Sequence, residues 1–172
     1  MGGIVSSEQE KKLVSLLKQL KNEGRRLPNF PLQVFYEISQ LTRLTAVEVL
    51  ITQDGKDFLL TERRDDYWDG WHIPGGFIGY TENAEQACNR IAQKEINVKV
   101  RLQNIREIYF WEKHPYGNPI SLVCVCTAVS DLEKRTDGTF YTSDTKPKDI
   151  IFPHILFIEN FIKGESKTVG FN

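Results

Sequence analysis

The sequence predicts a mixed α/β or α+β sandwich with an N-terminal helical extension. Three observations carry this expectation. Segments of helical and strand periodicity alternate irregularly, unlike the strict strand-helix repeat of a doubly wound sheet. The 172 residues suit one domain with its own core. The composition, 40 % hydrophobic and 26 % charged, is that of an ordinary globular chain.

From Ser7 to Lys21, Leu13, Leu16, Leu17 and Leu20 follow helical spacing among charged neighbours, which predicts an amphipathic helix ending near Gly24. Pro31 to Leu41 repeats the pattern with Val34, Phe35, Ile38 and Leu41 after a proline suited to a first turn. These helices define an extension over residues 1–42, ahead of a main domain over 43–172. The leucine stripe needs a covering surface, and a homodimer is favoured over packing on its own domain.

"TAVEVLITQDGKDFLLTERR" reads as a two-stranded hairpin around Asp54-Gly55, with Arg63 and Arg64 at the end of the second strand. "DDYWDGWHIPGG" is a loop and short strand closed by two glycines, which let the backbone approach a ligand. A helix follows from about Asn83 to Ile96, then strands over Val98 to Trp111 and Pro119 to Val129 around the turn "KHPYGNP". A polar loop, a short strand near "GTFYT" and a closing helix between Pro153 and Gly164 complete the chain.

Charge and cysteines exclude several classes. With 22 basic and 23 acidic residues the net charge is -1, so no global field marks a binder of nucleic acid polymers or membrane surfaces. Cys88, Cys124 and Cys126 lack metal-type spacing and read as small buried hydrophobes, reduced in a cytoplasmic protein. No stretch reaches membrane-spanning length. "MGGIVS" formally fits a myristoylation pattern at Gly2 but is short enough to match by chance.

"HIPGGFIGYTENAEQACNRIAQKEINV" carries the functional signal. Gly76, five residues, Glu82, seven residues, Arg90, then Glu95 and the apolar Val98 resemble the Nudix hydrolase signature, G-x5-E-x7-R-E-U-x-E-E-x-G-U with U apolar. The lead-in "GWHIPGG" and the strand ending "LLTERR" extend the resemblance over roughly residues 45 to 163. It implies a mixed β-sheet between helices, a divalent cation, magnesium first and manganese second, and hydrolysis of a nucleoside diphosphate linked to another group.

The sequence departs from the pattern at Ile91 and Lys94, where acids are usual, and at Asn97 in place of glycine. Asparagine tolerates the left-handed conformation that closes a helix, so the backbone path should survive. Glu95 alone remains of the acidic triplet. Magnesium accepts one or two carboxylates when water and phosphate complete its shell, so one acid is compatible with metal-dependent chemistry. Retention of the arginine and only the last acid is similar to the GDP-mannose mannosyl hydrolase branch, but the arginine that follows the glycine pair in that branch is Phe77 here, and the loop that supplies its catalytic histidine and a further ligand is the short "DLEKRTDG", with no histidine.

That resemblance implies Glu95 and the Gly75 carbonyl as metal ligands and Arg63 as a phosphate clamp, with Glu95 and Arg63 the catalytic pair. Arg64, Lys94, Trp68 and His114 are the further substrate-facing candidates. Lys94 has a second reading as a solvated helix charge, and Glu95 as a helix-end acid. Gly76, Glu82 and Arg90 form the scaffold, with Glu82 and Arg90 expected to brace the loop. Trp71 is expected in the core, and His72 and His154 on strands or surface. Asp131, Glu133 and Asp137 remain open as general base. The expected function is a magnesium-dependent hydrolase of a nucleoside diphosphate derivative, a nucleotide sugar first; the second reading is a catalytically silent module binding a nucleotide or a protein.

Overall fold

The computed structural model describes residues 6–165, so Gly2 lies outside the described residues. Helix α1, Ser7–Asn22, opens on a capping box between Ser6 and Gln9. It buries no residue, and Leu13 and Leu16 are 55 % and 50 % exposed. Helix α2, Leu32–Leu41, instead packs on the body of the protein. Phe35 meets Phe77 at 5.4 Å between ring centroids, and the Tyr36 hydroxyl donates to that of Tyr67 at 2.7 Å.

Among the described residues seven strands follow, interleaved with two more α-helices and one 3-10 turn at Leu132–Lys134: β1 Thr45–Thr52, β2 Phe58–Arg64, β3 Asp69–His72, β4 Gly75–Phe77, α3 Ala84–Ile96, β5 Val100–Phe110, β6 Ile120–Ala128, β7 Thr139–Tyr141 and α4 His154–Ile162. They form a four-stranded sheet, β4-β1-β6-β5, and a three-stranded sheet, β3-β2-β7. Only β1 and β6 run parallel in the first, so it is mixed, as a sandwich with irregular alternation requires.

Alternation along β1 sends Val47, Val49 and Ile51 into one core, shared with Ile91 and Ala92 of α3, and Leu50 into another, shared with Phe157 and Ile158 of α4. The free cysteines Cys88, Cys124 and Cys126 are buried in the first core.

The expected hairpin of β1 and β2 does not form. β1 is an interior strand whose two edges are taken by β4 and β6, while β2 pairs with β3 and β7. Side chains shape the connection: Asp57 Oδ1 accepts from the Thr52 hydroxyl at 2.8 Å and the Gln53 amide at 2.7 Å, and Asp54 accepts from the Lys56 amide at 2.9 Å. The Asp-Gly turn therefore carries the chain from one sheet to the other.

Candidate active site

Helix α3 begins on a capping box between Asn83 and Gln86 and ends on Asn97, whose φ of 57° is the left-handed conformation expected for it. Glu82, just before α3, and Arg90, within it, form the expected brace. The guanidinium donates to both Glu82 oxygens, at 2.5 and 2.8 Å, and to the Phe77 carbonyl at 2.8 Å, while the Gly79 amide donates to Glu82 at 2.7 Å. One ion pair thus ties strand, loop and helix together.

Strand register explains what faces Glu95. The bonds from the Val49 amide to the Pro74 carbonyl and from the Ile78 amide to the Thr45 carbonyl fix the hydrogen-bonded pairs of the β1-β4 ladder. Gly75 and Phe77 fall between them, so their N–H and C=O groups turn outward from the edge strand. Arg90 takes the Phe77 carbonyl, and the Gly75 backbone lies near enough to Glu95 to favour its ionised form. Burial pushes the Glu95 carboxyl up to about 7, against the opposing pull of Arg63, Lys94 and the Gly75 backbone.

Two recesses meet here. A shallow polar one is lined by Glu95, Gly75, Arg63, Glu62, His72, Thr61 and Asp137. A deeper aromatic cavity of about 220 Å³ shares Arg63, His72 and Gly75 and adds Trp68, Trp111, His114, His154, Glu48 and Ser121. Arg63, ion-paired with Asp65 at 2.5 Å, therefore stands at the junction. Trp68 and His114 lie in the cavity, with ring centroids 5.8 Å apart, and Trp71 packs against the α4 core. Gly76 lines the cavity as well.

Arg64 and Lys94 line neither recess: Arg64 is exposed and pairs with Glu62 and Asp69, and Lys94 is exposed beside Glu95. Asp137 is the one acid of the three open as general base that shares the Glu95 recess, whereas Asp131 caps its own turn by accepting from the Glu133 amide.

His72 lies on β3 as expected, whereas the expectation for His154 is corrected, since it opens α4; both are buried and converge with His114 on the cavity. Residues far apart in sequence meet because α4 packs its first residue against the end of β3; the Ile73 amide donates to His154 Nδ1 at 3.1 Å. Glu48 is the site residue that the sequence reading missed. It is 6 % exposed, accepts from the Ser121 hydroxyl at 2.7 Å, and lies opposite Gly75 in the register. Its one sequence signal was a lone acid inside the apolar run "AVEVLI". Burial raises it to about 8, and a donor arriving at its second oxygen would favour the ionised form.

Among the described residues no group of three or more His, Cys, Asp or Glu side chains is placed to hold a metal ion. The donor chemistry nevertheless fits a hard divalent cation bound with substrate: one carboxylate, Glu95, and the outward backbone carbonyl of Gly75, with phosphate and water to complete the shell.

These buried groups predict a stability maximum near pH 6.5 for the metal-free protein. Burial holds His72 and His114 down to about 4 and His154 to about 3, against 6.5 for a free histidine, so as pH falls below 6.5 the unfolded chain gains protons that the folded one refuses. Glu48 and Glu95 keep theirs to about 8 and about 7 against 4.5, so stability also falls as pH rises towards those values. Between 4.5 and 6.5 three groups oppose two, leaving a net gain with pH. Thermal melting in EDTA from about pH 4 to about pH 9 checks this; a flat profile would contradict it.

A family model described as the NUDIX domain matches residues 42–145. An ADP-ribose pyrophosphatase from Methanocaldococcus jannaschii is 24 % identical over 123 residues, covering 69 % of this chain and 72 % of that protein. A NUDIX hydrolase from Nitrosomonas europaea aligns with a TM-score of 0.61 at 19 % identity, over 76 % of this chain and 98 % of its own. A UDP-X diphosphatase aligns at 0.54 and 18 % identity, over 91 % of this chain and 82 % of its own. At these identities the two solved structures speak to the fold, which they share with this chain. The family match covers more than half of the sequence and contains the glycine turn, the Glu82–Arg90 brace and all of α3, so the chain belongs to the Nudix hydrolase family.

Proposed function

We propose that this protein is a magnesium-dependent hydrolase of nucleoside diphosphate derivatives, with a nucleotide sugar as the leading substrate class. The observation that carries the reading is the junction: Arg63 and Gly75 line both the aromatic cavity and the Glu95 recess, so a ligand spanning the two presents its diphosphate to Arg63. A guanidinium grips phosphate oxygens in a planar fork. The similar Methanocaldococcus jannaschii protein is named for ADP-ribose, a nucleoside diphosphate joined to a sugar.

Glu95 and the Gly75 carbonyl would hold the cation, which supplies charge neutralisation at the diphosphate when bound. Asp137, which lines the same recess, would take a proton from water. Arg90 and Glu82 keep the Gly75 strand and α3 in place, and Trp68 and His114 contact the ligand in the cavity. Arg64 and Lys94 act at longer range as surface charge. Manganese, with the same octahedral oxygen preference, would substitute.

The reading extends to a cytoplasmic homodimer. Helix α1 exposes its leucine face and carries Glu8 and Glu10 in its first turn and Lys21 in its last, so antiparallel pairing of two copies sets opposite charges together.

The test is incubation with magnesium and a panel of nucleotide sugars, dinucleotides and nucleoside triphosphates. Metal-dependent release of a nucleotide from the sugar conjugates is expected, and heavy-oxygen water then reports attack at carbon or phosphorus. Ligand-induced thermal stabilisation without any product would instead establish the silent module, for which the replacement of an acid by the core residue Ile91 is the motive.

A further inference from the structure

We propose that the aromatic cavity recognises the nucleobase of the substrate, and that Glu48 and His154 read the hydrogen-bonding edge of that base. The proposal rests on the reading that a nucleoside diphosphate is bound, and adds which end of the ligand enters which recess.

Backbone contacts fix the imidazole tautomers. His154 Nδ1 accepts from the Ile73 amide at 3.1 Å, so its proton sits on Nε2. His114 Nδ1 accepts from the Tyr116 amide at 3.0 Å, so its Nε2 also carries a proton. His72 is fully committed, donating from Nδ1 to the Ile73 carbonyl at 2.8 Å and accepting from the Thr61 hydroxyl at 3.0 Å. The cavity therefore presents two imidazole N–H donors, from His154 and His114.

Glu48 supplies the acceptor in its ionised form, which an arriving donor favours. Trp111 donates to the Ser121 hydroxyl at 2.9 Å and Ser121 donates to Glu48 Oε1 at 2.7 Å, a chain that aims the carboxyl and leaves Oε2 outside it. Oε2 stands 4.0 Å from His154 Nε2, beyond hydrogen-bond distance. Among the described residues no sealed side-chain oxygen lacks a partner, so Oε2 opens into the cavity. An acceptor and a donor thus lie side by side, 4.0 Å apart, among the rings of Trp68, Trp111, Phe77 and Tyr116.

A nucleobase matches this arrangement. It is a flat ring that stacks on aromatic side chains, and its edge sets an N–H donor beside a ring-nitrogen or carbonyl acceptor. A hexose fits less well, because it would bring several hydroxyls against aromatic walls where few free polar groups can pair with them. The diphosphate is excluded from the floor, since the one guanidinium lining the cavity, Arg63, lies where it joins the Glu95 recess, and the buried Glu48 carboxyl offers an anion no compensating charge. Base in the cavity, diphosphate at Arg63 and the sugar beyond it is the resulting order.

The test follows tryptophan fluorescence of the full chain in EDTA, titrated with the nucleoside monophosphates of the four RNA bases and with ribose 5-phosphate. Saturable quenching by at least one nucleotide is expected, with ribose 5-phosphate weaker by about tenfold or more. Glu48→Gln, which exchanges an acceptor oxygen for an amide donor, should weaken the preferred nucleotide by about tenfold and change the ranking of the bases. If that variant does not fold, Trp68→Ala, at the half-buried wall, should show the same tenfold loss without favouring any base. Equal binding of ribose 5-phosphate, no saturable quenching, or an unchanged affinity and ranking in the variants would overturn the proposal. Failure of the functional reading looks different: the nucleotides bind selectively, and no conjugate is hydrolysed.

Discussion

Glu95→Gln should abolish magnesium-dependent turnover while leaving the fold intact. Glu95 is the one acid that remains of the usual triplet, and the amide cannot supply the charge that a hard cation requires. Losing several kcal/mol of metal-derived charge stabilisation corresponds to roughly a thousandfold in rate. The fold should tolerate the change, because burial already pushes this carboxyl up to about 7 and a neutral amide of the same shape is no harder to bury. Melting temperature without metal should therefore match or exceed that of the unmodified protein at mildly alkaline pH, and the stabilisation given by magnesium with substrate should vanish. Retained turnover with an unchanged metal midpoint would remove Glu95 from the metal site.

Gly75→Ala should damage both stability and activity, whereas Gly76→Ala should be tolerated sterically. A Cβ built on Gly75 would lie close to Glu48 Oε2 and 3.2 Å from the Val47 carbonyl, in the space that the buried carboxyl occupies. Neither that backbone oxygen nor a carboxyl held by Ser121 and Trp111 can yield freely. Overpacking of this kind costs about 1–3 kcal/mol. Moving Glu48 would also break the chain that aims it into the cavity. On Gly76 the same atom meets Ile91 at 3.4 Å, an ordinary contact with a side chain that can adjust. Denaturant unfolding of the two alanine variants, with nucleotide binding measured on each, separates the cases; equal losses would refute the assignment of Gly75 as the steric partner of Glu48.

The two glycines show what periodicity can and cannot convey. In the sequence they are an undivided pair that promises a close backbone approach. In the folded chain, consecutive residues of a strand face opposite sides, so Gly75 makes room for Glu48 and Gly76 contacts α3. The helices were legible for a similar local reason. Caps at Ser6 and Asn83, the left-handed Asn97 and the apolar spacing of α3 are set by residues within a few positions of one another. The hairpin was misread because Asp54-Gly55 specifies a turn but not which strand occupies a neighbouring edge, and β4 and β6 occupy both edges of β1.

The sequence by itself determined the family, through the spacing of Gly76, Glu82, Arg90 and Glu95, and with it the loop-helix scaffold that the Glu82–Arg90 pair holds together. It also showed that two of the usual acids are replaced, since Ile91 and Lys94 are visible as letters. Only the tertiary structure decided the rest of the site: that Glu48, written as a lone acid in an apolar strand, meets Ser121 and Gly75, and that His72, His114 and His154 surround one cavity. Spacing within one helix or turn is fixed by local geometry. Which distant segments share a wall is fixed by how the two sheets and α4 pack, and that depends on the burial of every apolar face at once.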